Sequence, residues 1–318
     1  MLNVSRALVA NIILFVVLCG AFNISASAQT LYTCEGPRSG PNPFLHTINP
    51  ETGATTSTVE INLPGFNIQG CNGLSKDPST GTCWIVLTPP SEGGTGNGGN
   101  GNRLLATIDE NTGVATLVGA TGERIAGIAF NETGAILYGI TGDGDAAFTP
   151  KLVTLSKSNG SSTFVQDLFN EDEPGEAIGF NPDDGLLYRS SGDGPVLDID
   201  LIFESINPIN NNVTQIPITG DTAVYDEQLS FVYLSGNSFL VSQGREPNVP
   251  NALHKITTGG LVSFVANMDH QAKGMAFDCG IPDFIREVPT ISEWGLITIA
   301  SILGMIGLIA LRRKSAAN

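Results

Sequence analysis

Two separated stretches, Gly274-Met275-Ala276-Phe277-Asp278 and Thr30-Leu31-Tyr32-Thr33, read together as one broken unit of a repeat. Elsewhere the same pieces are joined. Gly127-Ile128-Ala129-Phe130-Asn131 runs through a turn at Gly134 into Ile136-Leu137-Tyr138, and Ile178-Gly179-Phe180-Asn181-Pro182 runs into Leu186-Leu187-Tyr188. Degenerate copies span Gly73 to Trp84 and Leu229 to Ser242. The first half of a fifth copy closes the body of the chain, and its second half stands near residue 30. A unit shared between both ends is what a closed ring requires. An open solenoid would instead need capped ends.

A second piece alternates with the first. It reads Leu45-His46-Thr47-Ile48-Asn49-Pro50-Glu51-Thr52-Gly53 and returns as Leu105-Ala106-Thr107-Ile108-Asp109-Glu110-Asn111-Thr112-Gly113. Weaker copies begin at Leu152, Phe203 and Leu253. The spacing is about 50 residues, stretched once by the Gly/Asn-rich loop Gly93 to Asn102, and self-similarity at such a period marks a repeat architecture. Asn or Asp opens the clearest of these turns through its side chain, and the later Gly takes the positive-φ position that closes a hairpin. Two hairpins per unit give four short strands, the content of a propeller blade. The expected fold is all-β: a β-propeller of five four-stranded blades, closed by pairing of N- and C-terminal strands. A six-bladed ring with one diverged unit is the alternative. The repeats also resemble propeller families with a Leu-Tyr-x-Ile-Asp-Pro-x-Thr-Gly pattern, a resemblance of fold and not of activity.

The ends read differently. Residues 1–28 carry Arg6, an apolar core from Ile12 to Phe22, and Ala26-Ser27-Ala28, a signal-peptide pattern with cleavage before Gln29. Leu18 before Cys19 argues against a lipoprotein signal. At the other end, Gly295 to Leu311 holds no charge and is followed by Arg312, Arg313 and Lys314. That length sits at the short limit for a membrane-spanning helix, and the basic stop would stay cytoplasmic. The expected division is a signal peptide (1–28), a propeller ectodomain (29–287) and a tail (288–318).

Val288-Pro289-Thr290-Ile291-Ser292-Glu293-Trp294-Gly295, then an apolar stretch, then a basic stop, resembles the IPTL-CTERM sorting tail, a relative of PEP-CTERM in Gram-negative bacteria. The family's usual form is Ile-Pro-Thr-Leu-x-x-Trp-Gly. Here Val288 and Ile291 replace Ile and Leu, while Pro289, Thr290, Trp294 and Gly295 keep the pattern. The resemblance implies an exosortase-type membrane protease as partner, a membrane-anchored precursor, and delivery to the cell surface or extracellular matrix. It covers only the tail.

The formal charge is −16, and Arg6, Arg312, Arg313 and Lys314 all lie in the end segments, so the body is more acidic still. Such a surface repels nucleic acid and phosphate-rich partners. Cys34, Cys71, Cys83 and Cys279 remain after signal removal, an even number that suggests two disulfides in an exported chain. Three pairings are open. Cys34–Cys279 would lock the closing blade but looks too distant, and Cys71–Cys83 is its natural companion.

No Gly-x-Ser-x-Gly elbow or phosphate-binding glycine loop is present. His46 and His254 hold the same place in two repeats, expected two blades apart, with His270 elsewhere. Asp77, Asp226 and Asp278 are the carboxylates a propeller glycosidase would use. Asp77 and Asp278, however, align with Asn131 and Asn181, so the turn wants an acceptor rather than a charge. Asp143-Gly144-Asp145 and Asp193-Gly194 are acidic loop tips with calcium as the one conceivable ion; no other cofactor is expected. A quinone-type redox cofactor would want tryptophan stacking, and the body offers only Trp84. The expected function is therefore a surface-displayed binding or structural module for a polysaccharide or surface protein, with a secreted polysaccharide hydrolase as the alternative.

Overall fold

The structure is a computed structural model of the chain and describes residues 29–35, 43–90, 103–142, 149–168, 176–191, 201–222, 227–245, 249–281 and 283. Strands β1 (Leu31–Glu35), β2 (Phe44–Ile48) and β3 (Thr55–Glu60) begin the first blade. The second blade is β4 (Gly70–Lys76), β5 (Cys83–Thr88), β6 (Leu104–Ile108) and β7 (Ala115–Ala120). The third is β8 (Ile125–Phe130), β9 (Leu137–Thr141), β10 (Lys151–Leu155) and β11 (Ser162–Asp167). The fourth is β12 (Glu176–Asn181), β13 (Leu186–Ser191), β14 (Ile202–Ile206) and β15 (Val213–Gln215). The short β16 (Thr219–Gly220) precedes the fifth, β17 (Gln228–Tyr233), β18 (Ser238–Arg245), β19 (Val249–Thr257) and β20 (Leu261–Asn267). Finally β21 (Ala272–Phe277) returns to the first blade.

The split unit closes as the sequence implied. The first sheet runs β21-β1-β2-β3, with Leu31 opposite Phe277 and Thr33 opposite Met275. The inner strands β4, β8, β12, β17 and β21 pack side by side around one central channel, each against the next and the last against the first. There are five blades, so the six-bladed and open alternatives fall. One detail was not anticipated: β16 adds a parallel fifth strand to the outer edge of the fifth sheet.

Hydrophobic burial occurs between blades, in five wedges. Strand β5 shows how one sequence serves two of them. Cys83, Ile85 and Leu87 join the cluster against the first blade, while Trp84 and Val86 join the cluster against the third. Alternating side chains leave opposite faces of a strand, so a strand covered on both sides reads as a continuous apolar run. Outer strands have one blade face and an open edge, and β3 and β7 are correspondingly mostly exposed.

The glycine of the second repeated piece has two duties. Gly53 and Gly113 sit at φ 67° and 71° and donate their amides to Asn49 and Asp109 carbonyls at 2.9 and 2.8 Å. Each also lies under the end of the preceding blade. A Cβ on Gly113 would stand 2.2 Å from the Glu60 carbonyl oxygen, and one on Gly53 2.3 Å from that of Asn267. Glycine is thus required by the turn and by blade-to-blade contact. The fourth blade departs from the rule: Asn211 takes φ 62° there, with the same amide bond to Asn207 at 2.8 Å.

Candidate functional site

The two faces of the ring differ. One carries the tight turns that join the first and second strands of each blade. Their Asx side chains accept backbone amides: Ser79 N to Asp77 Oδ1 at 2.9 Å, Ile136 N to Asn131 Oδ1 at 3.0 Å, Asp183 N to Asn181 Oδ1 at 2.9 Å, and Thr30 N to Asp278 Oδ1 at 2.7 Å. The last of these ties the two ends of the body together. Asp77 is buried and also meets Lys157 Nζ at 2.5 Å. Burial pushes its carboxyl up, but the Lys157 ammonium and the Ser79 donors outweigh that and hold it below the ordinary range. The Lys157 ammonium in turn lies over the rings of Trp84 and Phe130, 5.8 and 5.3 Å from their centroids.

On this face the channel opens into a cavity of about 660 Å³ lined from all five inner strands, with Ser75, Phe130, Phe180, Tyr233 and Phe277 among its walls. Burial first, then the Asp183 carboxylate accepting its hydroxyl at 2.6 Å, pushes the Tyr233 phenol up to about 12. Gln29 and Asp283 also line this mouth. Asp283 is held there by Lys76 Nζ and by its own amide, which donates to Pro78 O at 2.9 Å.

At the opposite face the second strand of each of the first four blades ends and the third begins: Glu35 and Phe44, Thr88 and Leu104, Thr141 and Lys151, Ser191 and Ile202. Beneath it lies a band of buried polar side chains. Arg189 Nη1 meets Glu204 Oε1 at 2.8 Å with both side chains fully buried. Ser190 donates to Gln228 Oε1, Ser242 donates to the Ala272 carbonyl at 2.6 Å, and Thr88 links Asn72 with Arg103. Buried polar groups persist only when their hydrogen bonds are made, so this band is a network rather than a set of exceptions.

The first blade adds a histidine cluster to that face. His46 and His270 stack at 3.9 Å between centroids. His46 Nε2 lies 3.1 Å from Glu35 Oε2 and its Nδ1 2.9 Å from Thr58 Oγ1. His270 Nε2 lies 2.8 Å from Thr33 Oγ1, and its Nδ1 2.7 Å from Asp269 Oδ1. The His46 hydrogen bond holds Glu35 below the ordinary carboxylate range, and burial together with the neighbouring His46 holds His270 below the ordinary histidine value. His254 follows a different course. It occupies the position in β19 that His46 occupies in β2, as the repeat implied, but ring closure makes the fifth and first blades neighbours rather than two blades apart. Burial lowers its pKa to about 4.

Of the pairings the sequence left open, the structure takes neither Cys34–Cys279 nor its companion Cys71–Cys83, and the two disulfides themselves are present. Cys34 bonds Cys71, and Cys83 bonds Cys279, with Cα separations of 6.2 and 5.4 Å. Cys71 and Cys83 sit at opposite ends of the β4–β5 hairpin, Cys71 opposite Leu87 and Cys83 opposite Lys76, so they cannot meet. Cys34 is likewise separated along the β1–β21 pair from Cys279. Both bridges instead join the first blade to the second, one near each face.

Several expected features lie outside the described residues: the signal peptide, the 93–102 loop, Asp226, the tips at Asp143, Asp145 and Asp193, and the tail with Val288, Pro289, Thr290, Ile291, Trp294, Gly295, Arg312, Arg313 and Lys314. Among the described residues no cluster of three or more His, Cys, Asp or Glu is arranged to hold a metal ion, and no helix is long and apolar enough to cross a membrane. The His46–His270 stack and the Arg189–Glu204 pair were not legible beforehand. The stack joins residues far apart in sequence, and an Arg three residues into a strand looks like any exposed charge.

Among solved structures the chain is similar to a nidogen/laminin complex chain at TM-score 0.48 and 9% identity, covering 79% of this chain and 98% of that one. It is also similar to TolB from Acinetobacter baumannii at 0.44 and 9%, covering 79% and 66%. A calcium-binding protein, regucalcin, from Agrobacterium tumefaciens stands at 0.44 and 14%, covering 78% and 75%. No curated protein matches the sequence. At the other end of the comparison, residues 288–313 match the family model of the IPTL-CTERM motif, so this chain is a five-bladed propeller body bearing an IPTL-CTERM tail.

Proposed function

We propose that this protein is an exported, surface-displayed binding or structural module, held in the membrane as a precursor by its C-terminal helix and processed by an exosortase-type protease. The observation that carries the reading is the IPTL-CTERM motif at 288–313, placed directly after a ring that is already complete at Phe277. A body that closes before the tail begins can be released from it without losing a strand. The polar, hydrogen-bonded band beneath the face opposite the tight turns makes that end of the ring a rigid support for contact with an extracellular polysaccharide or surface protein. Asp77 and Asp278 are engaged in turn and ion-pair contacts, which supports a structural role for them over a hydrolase's acid pair.

The test is to express, in a Gram-negative host that has an exosortase-type protease, the full chain and a chain ending after Arg286. The full chain should appear first in membranes and then as a shorter surface or matrix form whose C-terminus, read by mass spectrometry, lies upstream of Arg312. The shortened chain should be released without a membrane stage. Identical fractionation of the two would overturn the proposal. The hydrolase alternative is checked by Asp77→Asn with Asp278→Asn: loss of a measurable glycan-cleaving activity in a folded double variant would favour it.

A further inference from the structure

We infer that the cavity at the tight-turn mouth of the channel is a binding site for an alkylated ammonium group carried on an apolar body. The site lies at the other end of the ring from the polar band, and it stands independently of the sorting tail. Its walls come from one repeated position. Lys76, Phe130, Phe180, Tyr233 and Phe277 each stand one residue before the tight turn of their inner strand, paired with Cys83, Leu137, Leu187, Phe239 and Leu31. All five line the cavity, so four aromatic rings stand around one opening. One step earlier the strands carry Ser75, Ala129, Gly179 and Ala276, small residues in four of the five blades that help leave a volume of about 660 Å³. A space of that size takes a small ligand.

Charge selects the occupant. Lys76, the cation among the described lining residues, is bonded to Asp283 and to the Ile281 carbonyl at 3.4 Å. Two further carboxylates stand at the rim: Glu132, exposed, and Asp183, which accepts the Tyr233 hydroxyl at 2.6 Å. Neither is ion-paired among the described residues. The formal charge of −16 on the whole chain adds to their attraction for a cation. Aromatic rings contribute the negative face of their quadrupole to a cation within about 6 Å. The wall already shows this contact, since Lys157 Nζ lies 5.3 Å from the centroid of Phe130. Phe180 and Tyr233 are half-buried at the cavity wall, and Tyr233 is fixed edge-on against Phe239 at 5.7 Å as well as by Asp183. A primary ammonium entering here would give up hydrogen bonds to water that rings and aliphatic side chains cannot replace. A fully alkylated one has none to give up. An anion would meet Glu132 and Asp183, and a neutral apolar group would gain burial without the electrostatic part.

The experiment titrates the full chain, in nonionic detergent, with choline and with 3,3-dimethylbutan-1-ol, which has the same shape with carbon in place of nitrogen. Proton NMR follows the methyl singlet of each compound, which ring currents move upfield on entry among the aromatic side chains. Choline should bind about tenfold more tightly than the alcohol. Phe180→Leu and Tyr233→Leu should each weaken choline about fivefold. Phe164→Leu, on the exposed outer strand β11, should change nothing. Glu132→Gln alters only an exposed side chain, so folding is not at issue, and it should weaken choline about twofold while leaving the alcohol unaffected. Absence of a choline shift, equal affinity for the two compounds, or unchanged choline affinity in both Phe180→Leu and Glu132→Gln overturns the inference. None of these outcomes bears on the tail, which fractionation tests separately.

Discussion

His46 and His270 stack face to face, 24° from parallel and 3.9 Å apart, although 224 positions separate them in the chain by their residue numbers. A second proton on this pair would place two cations in van der Waals contact, relieved only in part by Glu35 and Asp269. Burial and the neighbouring ring depress His270, so the unfolded chain binds its proton more readily than the fold does. Stability contributed by the neutral ring is present above the ordinary histidine pKa and is lost as pH falls below it. His270→Gln should therefore flatten the fall in urea midpoint between pH 7 and pH 5. An unchanged slope would show that the stack does not govern acid sensitivity.

His254 extends the same logic to lower pH. Its pKa of about 4 in the fold, against about 6.5 when exposed, means that stability drops as pH falls through that interval. The loss should approach 3 kcal/mol by pH 4, taking about 1.4 kcal/mol per unit. Proton NMR of the His254 ring, titrated from pH 7 to pH 4, should show no transition above about 5.

The two disulfides should differ in weight. Cys83–Cys279 closes a loop of 196 positions and Cys34–Cys71 one of 37. Chain entropy assigns the longer about 5 kcal/mol and the shorter about 4 kcal/mol. Replacing Cys83 and Cys279 together by Ala should lower the denaturation midpoint more than replacing Cys34 and Cys71. The reverse order would mean that the closing blade is held by its strand pairing alone.

Glycine substitutions separate turn strain from blade contact. Gly185 has φ 74° and open space where a Cβ would go, so Gly185→Ala should cost only the left-handed penalty of about 1–2 kcal/mol. Gly113→Ala meets the Glu60 carbonyl as well and should cost about 1–3 kcal/mol more through overpacking. Equal losses in thermal denaturation would argue against the inter-blade role.

Much of this architecture was legible because it is local. Asn49-Pro50, Asp109, Asn131 and Asn181 announce their turns through side chains that reach amides two to five residues on, and the alternation around them fixes the strands. The broken unit at Gly274–Asp278 and Thr30–Thr33 announced closure for the same reason: each half carries its own strand and turn chemistry. Where the reading failed, the missing information was angular. The cysteine pairing stayed open among three possibilities because the bonds run between blades, and spacing along the chain carries no information on that packing.

The sequence by itself determined the strands, their turns, the count of units and the IPTL-CTERM pattern of the tail, since each depends on residues within a few positions of one another. Only the tertiary structure decided that Cys34 meets Cys71 and Cys83 meets Cys279, that His46 lies on His270, and that both ends of the body share one mouth. Those facts depend on how wedge-shaped apolar contacts set each blade against the next, a geometry that emerges only when the ring is complete.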